Sequence, residues 1–117
     1  MAYPREVFDI FDEQVDAFNA RDLERFVACY ARDATVLTAT GVLTGHDELR
    51  AAYRTRFTDP QLSCEVMGVA PVSEDWIEAS ERVRSGEGER QVRALFEVKQ
   101  GAITRAALFP AHRPAER

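Results

Sequence analysis

Three polar side chains stand where periodicity predicts apolar ones. Gln14 lies three residues after Phe11 and four before Phe18, on the apolar face of a helical repeat. Glu81 shares a strand face with Ile77, Ala79 and Val83, and Arg105 shares one with Ile103, Ala107 and Phe109. A carboxyl group buried among apolar neighbours holds its proton more tightly and becomes an acid–base group suited to neutral pH. A buried arginine keeps its charge, so Arg105 would bind a ligand carboxylate or pair with Glu81. A buried amide needs a partner, so Gln14 either bonds a backbone group or donates to a ligand oxygen. Strand twist or a bulge would instead turn Glu81 and Arg105 into solvent. The direction each faces therefore decides its role.

Other chemistries lack their residues. His46 and His112 stand far apart, with no carboxylate or thiol cluster at ligand spacing, so neither a metal nor a cofactor is expected. His46, at a helix start, reads as solvated surface. Cys29, next to Tyr30 and without a base in reach, reads as a packing residue. Neither a phosphate-binding glycine loop nor a nucleophile elbow is present.

The composition narrows the class. The chain has 117 residues, 45% of them hydrophobic, which suits one domain with a single core over residues 1–110 and a polar, frayed tail over 111–117. A net charge of −5 argues against a nucleic-acid partner. No apolar run is long enough to span a bilayer, and no secretory leader is visible, so the cytoplasm is the expected location. Cys29 and Cys64 are too few for a disulfide framework.

The elements that must hold the polar residues are legible by period. Residues 5–20 read as a helix with Phe8, Phe11, Val15 and Phe18 inward. Asp22 caps a second helix reaching about Ala31, and Thr44 caps a third over 46–57, with Asp47 completing a near capping box. A short strand is expected over 35–40, with Gly41 and Gly45 bracketing a turn. Strands over 62–70, 75–84, 90–99 and 102–109 are separated by Pro71 and the turns at 85–89 and 100–101. The order α-α-β-α-β-β-β-β implies an α+β domain: a curved antiparallel sheet wrapped around the helices into a cone that can hold a small ligand.

Three stretches carry a family resemblance: Phe18-Asn19-Ala20-Arg21-Asp22-Leu23, Tyr30-Ala31-Arg32-Asp33-Ala34-Thr35-Val36, and Gly45-His46-Asp47-Glu48-Leu49 leading to Tyr53. Together they resemble the nuclear-transport-factor-2-like superfamily, also called SnoaL-like or cystatin-like α+β barrel. That resemblance implies the cone-shaped fold. Its ketosteroid isomerases use a carboxylate base beside an oxyanion hole built from a tyrosine and a protonated aspartate. Carried onto this chain, the base position holds Thr38, the tyrosine position Gln14 and the aspartate position Ala94. Supporting tyrosines of some members match Tyr30 and Tyr53.

The first expectation is therefore a small apolar-ligand-binding domain without the isomerase carboxylates. Ala94, Phe96, Val98 and Phe109 would form the walls. Gln14, Tyr30, Thr38, Tyr53 and Arg105 would make the polar contacts. The alternative is an isomerase, cyclase or epoxide-hydrolase-type enzyme on a polyketide- or steroid-like substrate, with Glu81 as base and Gln14 or Tyr30 as electrophilic partner. A third reading is an accessory protein acting through the sheet face. That outer face, with Arg93, Leu95, Glu97, Ala106 and Leu108 beside Trp76, Glu78 and Ser80, suggests a homodimer.

Overall fold

The computed structural model describes residues 5–111. The expected tail, from residue 112 onward, and His112 with it, lie outside the described residues. Three helices, two before the first strand and one after the second, cover one six-stranded sheet: α1 (Arg5–Asn19), α2 (Leu23–Ala28), β1 (Tyr30–Thr38), β2 (Gly41–Thr44), α3 (Gly45–Arg54), a 3-10 turn (Arg56–Thr58), β3 (Ser63–Pro71), β4 (Trp76–Ser85), β5 (Gly88–Lys99) and β6 (Ala102–Pro110). The strand order is β2-β1-β6-β5-β4-β3. The α+β architecture matches the expectation, with two differences. β1 runs parallel to β6, so the sheet is mixed. The stretch expected as a turn contains β2, which pairs Val36 with Leu43 and Leu37 with Val42. The second helix also stops earlier than expected: Cys29 is its C-cap and Tyr30 already begins β1.

Local chemistry explains the joints. The Asp22 side chain accepts Arg25 N–H as the α2 N-cap. Glu48, rather than Asp47, reaches back to the Thr44 N–H at 2.8 Å. Gly45 has φ +82, and a Cβ there would meet the Arg32 carbonyl oxygen at 3.2 Å, so only glycine suits the entry to α3. His46 is half-buried rather than solvated. Its Nε2–H donates to the Tyr30 carbonyl at 2.7 Å and ties α3 to the start of β1. The α1–α2 corner is fastened to β3 by the Asn19 amide. Asn19 Nδ2 donates to Cys64 O at 3.0 Å, and Asn19 Oδ1 accepts from Cys64 N at 2.7 Å. This side chain occupies the place of a ladder neighbour on the edge strand.

Register irregularities interrupt the ladders at Val66/Gly68 in β3, at Glu97/Val98 opposite β6, and between Tyr30 and Thr35 in β1. Each adds bend and twist, and together they curl the sheet around the helices. The concave side carries Ile77, Ala79, Val83, Phe96, Val98 and Ile103, all buried.

Against it packs an aromatic cluster centred on Phe26. Its ring lies 4.7 Å from Tyr53, 5.3 Å from Tyr30 and from Phe57, and 6.1 Å from Phe18, centroid to centroid. Because Phe26 joins rings from all three helical segments and β1, Phe26→Ala is expected to cost about 3–5 kcal/mol. Urea denaturation checks this, with a lowered midpoint at unchanged slope.

Candidate functional site

The helices do not cover the whole concave surface. Between α1, α3 and the sheet remains a cavity of about 310 Å³, at the lower end of the range for small-molecule sites. Its walls include Val15, Phe18, Phe26, Val83, Val92 and Phe96, and polar groups enter from Gln14, Thr38, Tyr53 and Glu81. The apolar character follows from the alternation of β4 and β5, whose inward positions are aliphatic or aromatic apart from Glu81 and Arg90.

Glu81 sits opposite Val66 on β3 and Val92 on β5, and is only 7% exposed. Burial pushes its carboxyl up to about 7, against a smaller opposing effect of a hydrogen bond with the Cys64 thiol. Among the described residues no cation pairs with it. The thiol itself is driven up by burial and by the adjacent Glu81, so Cys64 remains protonated and is not a nucleophile.

Gln14 projects from α1 into the same space. Its Nε2 donates to the Tyr30 hydroxyl at 3.3 Å, while its Oε1 is buried without a protein partner. A half-turn of the amide would exchange these roles: Tyr30 O–H would donate to the oxygen, and Nε2 would become the unpartnered end. Gln14 can thus offer a ligand either an acceptor or a donor. Burial holds the Tyr30 phenol well above the ordinary range, so its hydroxyl stays protonated.

The placement of the other expected residues is mixed. Tyr53, Thr38, Phe96 and Phe109 line the cavity, Phe109 at its exposed rim. Tyr30, Ala94 and Val98 are buried but stand behind the lining. Thr38 Oγ1 is engaged locally, donating to Gly41 O at 2.9 Å.

Arg105 is corrected outright. Thr104 is an extra residue between the pairs Val98–Ile103 and Glu97–Arg105, and it reverses the facing of the rest of β6. Arg105 therefore lies on the outer face, where its Nε is 3.3 Å from the Glu97 carboxylate. The same reversal brings Ala106 and Leu108 to the concave side and sends Ala107 outward. Residues unforeseen from sequence complete the lining: Arg56 after α3, Arg90 at the start of β5, and Cys64. The alternation that exposed Glu81 also includes Arg90, two residues before Val92 on the inward side, and was the available signal for it.

Comparison with known proteins places this geometry in a family. The sequence model of the SnoaL-like domain matches residues 11–106, and the chain belongs to that family. No curated protein matches the sequence. Among solved structures it is similar to a protein of cystatin-like fold from Methylobium petroleophilum PM1, with TM-score 0.83, 15% identity, and coverage of 97% of this chain and 81% of that one. It is similar to a proposed ketosteroid isomerase from Kribbella flavida DSM 17836, with TM-score 0.78, 19% identity, and coverage of 97% and 84%. A proposed polyketide cyclase from Sinorhizobium meliloti gives TM-score 0.74, 20% identity, and coverage of 86% and 93%. At these identities the likeness concerns the fold. No described helix is long and apolar enough to cross a membrane.

The raised Glu81 has a thermodynamic signature. Unfolded, the group loses its proton near pH 4.5; folded, it keeps it to about pH 7. The native state binds the extra proton in that window, so stability falls as pH rises through it, by roughly 3 kcal/mol at most. Glu81→Gln, a neutral mimic of the protonated acid, should remove that slope. The variant is expected to match the parent at pH 4.5 and to exceed it by about 2–3 kcal/mol at pH 8 in urea denaturation.

Proposed function

We propose that the cone binds a small, largely apolar ring compound of polyketide- or steroid-like kind, and that Glu81 moves a proton on it. The observation that carries this reading is the position of the Glu81 carboxyl, buried on the wall of an accessible apolar cavity and, among the described residues, in no ion pair. Structural carboxylates in a core are ordinarily paired. An unpaired one that faces a void is costly, and a ligand that uses it is the simplest return for that cost.

The chemistry follows from the groups present. As carboxylate, Glu81 takes a proton from the carbon next to a ligand carbonyl. The C–H electron pair moves into the new C=C bond, and the carbonyl oxygen becomes an enolate. The Gln14 amide, turned so that Nε2 faces the cavity, donates to that oxygen. Return of the proton from Glu81 to another carbon completes an isomerisation. A base that titrates near neutral pH has both its protonation states available for the two halves of the cycle. By the family resemblance Thr38 falls where the isomerases carry their base, so here the acid would come instead from Glu81 on β4, in the same lining. The names carried by two structural neighbours, ketosteroid isomerase and polyketide cyclase, accord with chemistry on such compounds.

2-Tetralone in deuterated buffer at pH 7 supplies the test. The parent protein should accelerate deuterium uptake at the α-carbon, and Glu81→Gln should slow it by about 100-fold or more with binding retained by calorimetry. Binding without any acceleration by the parent would leave a binding domain and remove the enzyme.

We also propose a homodimer through the outer sheet face. Val42, Leu37, Ala107 and Leu95 form one row across β2, β1, β6 and β5, with Leu37 and Val42 44% and 55% exposed. A twofold axis over this row would bury both copies of it. Sedimentation should report a dimer for the parent and a monomer for Leu37→Asp, with ligand binding unchanged.

A further inference from the structure

Among the described residues, several arginines are paired on the surface. Arg25 bonds Glu13, Arg50 bonds Glu24, Arg82 and Arg84 reach Glu89, Arg93 meets Glu78 and Arg105 meets Glu97. Arg21, Arg32, Arg54, Arg56 and Arg90 stand outside these pairs, and Arg56 and Arg90 are the two of them that line the cavity. Among the described residues neither Arg56 nor Arg90 forms an ion pair, although acidic residues outnumber basic ones by 20 to 15. Glu81, the acidic residue that lines the same cavity, forms no ion pair with either of them.

Arg56 is nevertheless held in position. Its guanidinium carbon lies 5.3 Å from the Tyr53 ring centroid and 5.9 Å from that of Phe18, and both rings line the cavity. Stacking uses the face of the guanidinium plane and leaves the N–H donors along its edge free. Arg90 approaches from the sheet, opposite Val83 on β4. The two carrying segments are joined: Asp59, three residues after Arg56, accepts the Gly86 N–H of the β4–β5 hairpin at 2.7 Å and the Gln61 N–H at 2.8 Å. A pair of positive charges is thus kept at one cavity by a clamp that involves neither of them.

We infer that the ligand of this cavity is an amphiphilic acid whose anionic group, a carboxylate or a comparable oxyanion, is bound by Arg56 and Arg90 while its apolar body lies against Phe18, Phe26 and Phe96. This rests on the ligand-binding reading of the cone and names the class of ligand. It moves the carboxylate-binding role expected of Arg105 to two residues on other elements. The planar, bidentate donors of arginine suit a carboxylate, and the aromatic floor of Phe18 and Tyr53 excludes water from one side of Arg56.

The test uses two near-isosteric probes, 2-naphthoate and neutral 2-acetylnaphthalene, titrated calorimetrically into the full chain at pH 6 and low salt. The parent should bind 2-naphthoate about tenfold more tightly than 2-acetylnaphthalene, and 1 M NaCl should erode that preference. Arg90→Met should reduce the preference, and Arg56→Met with Arg90→Met should abolish it while leaving the affinity for 2-acetylnaphthalene within about twofold. Arg90→Met alone keeps the test decisive if the double variant folds poorly, because Arg90 is exposed. Equal affinities for the two probes, or a preference that survives Arg90→Met undiminished, would overturn the inference and leave the apolar pocket standing. Failure of both probes to bind the parent would overturn the pocket reading as well.

Discussion

The curvature of a single sheet sets most of what this molecule contains. Six strands bent by three register irregularities present a concave surface. Helices of 15, 6 and 10 residues lie against it. A flat sheet of this size could be covered by such a layer and packed to ordinary interior density. A curled one leaves the helices bridging a hollow, and the hollow is continuous with the core. Phe18, Phe26 and Phe96 accordingly belong both to the packed interior and to the cavity lining. In a chain this short there is no separate scaffold, and residues that stabilise the fold also shape the site.

That sharing explains the behaviour of Glu81. On a fully packed concave face its carboxyl would be buried without recourse; on the outer face it would be an ordinary solvated acid. At the wall of a partly enclosed space it is desolvated enough to hold its proton to about pH 7, yet still open to a visiting molecule. The Gln14–Tyr30 pair is related: one end of the amide is satisfied within the protein, and the other is buried without a partner in a residue that lines the cavity.

The sequence was most readable where structure is periodic and local. The apolar repeat through Phe11 and Phe18 marks α1, and the Gly-rich turn at 85–89 marks the β4–β5 hairpin. The inward side of β4 could be read from alternation alone, which is why Glu81 stood out. β2 was hidden because four residues give too little pattern to separate a strand from a turn, and because its partnership is visible only in the paired ladder. The parallel contact of β1 with β6 joins segments about 70 residues apart, beyond any local signal. Arg105 was misplaced because alternation assumes an unbroken ladder, and one inserted residue, Thr104, reverses every side chain after it. Arg56 sits just beyond α3, where helical periodicity has lapsed, and only the ring stacking on Tyr53 and Phe18 gives its position meaning.

The bond between Asp59 and Gly86 has a reach beyond its own neighbourhood. It connects a loop and a hairpin tip, neither of which supplies a group to the cavity at the bond itself. The spacing of the two walls that bear Arg56 and Arg90 is consequently governed from outside the lining. Lengthening the hairpin by a residue, or replacing Asp59, alters the aperture while every wall residue keeps its identity. Lineages built on this cone can therefore change the size of molecule admitted without altering the chemistry waiting inside, and the two traits are free to evolve separately.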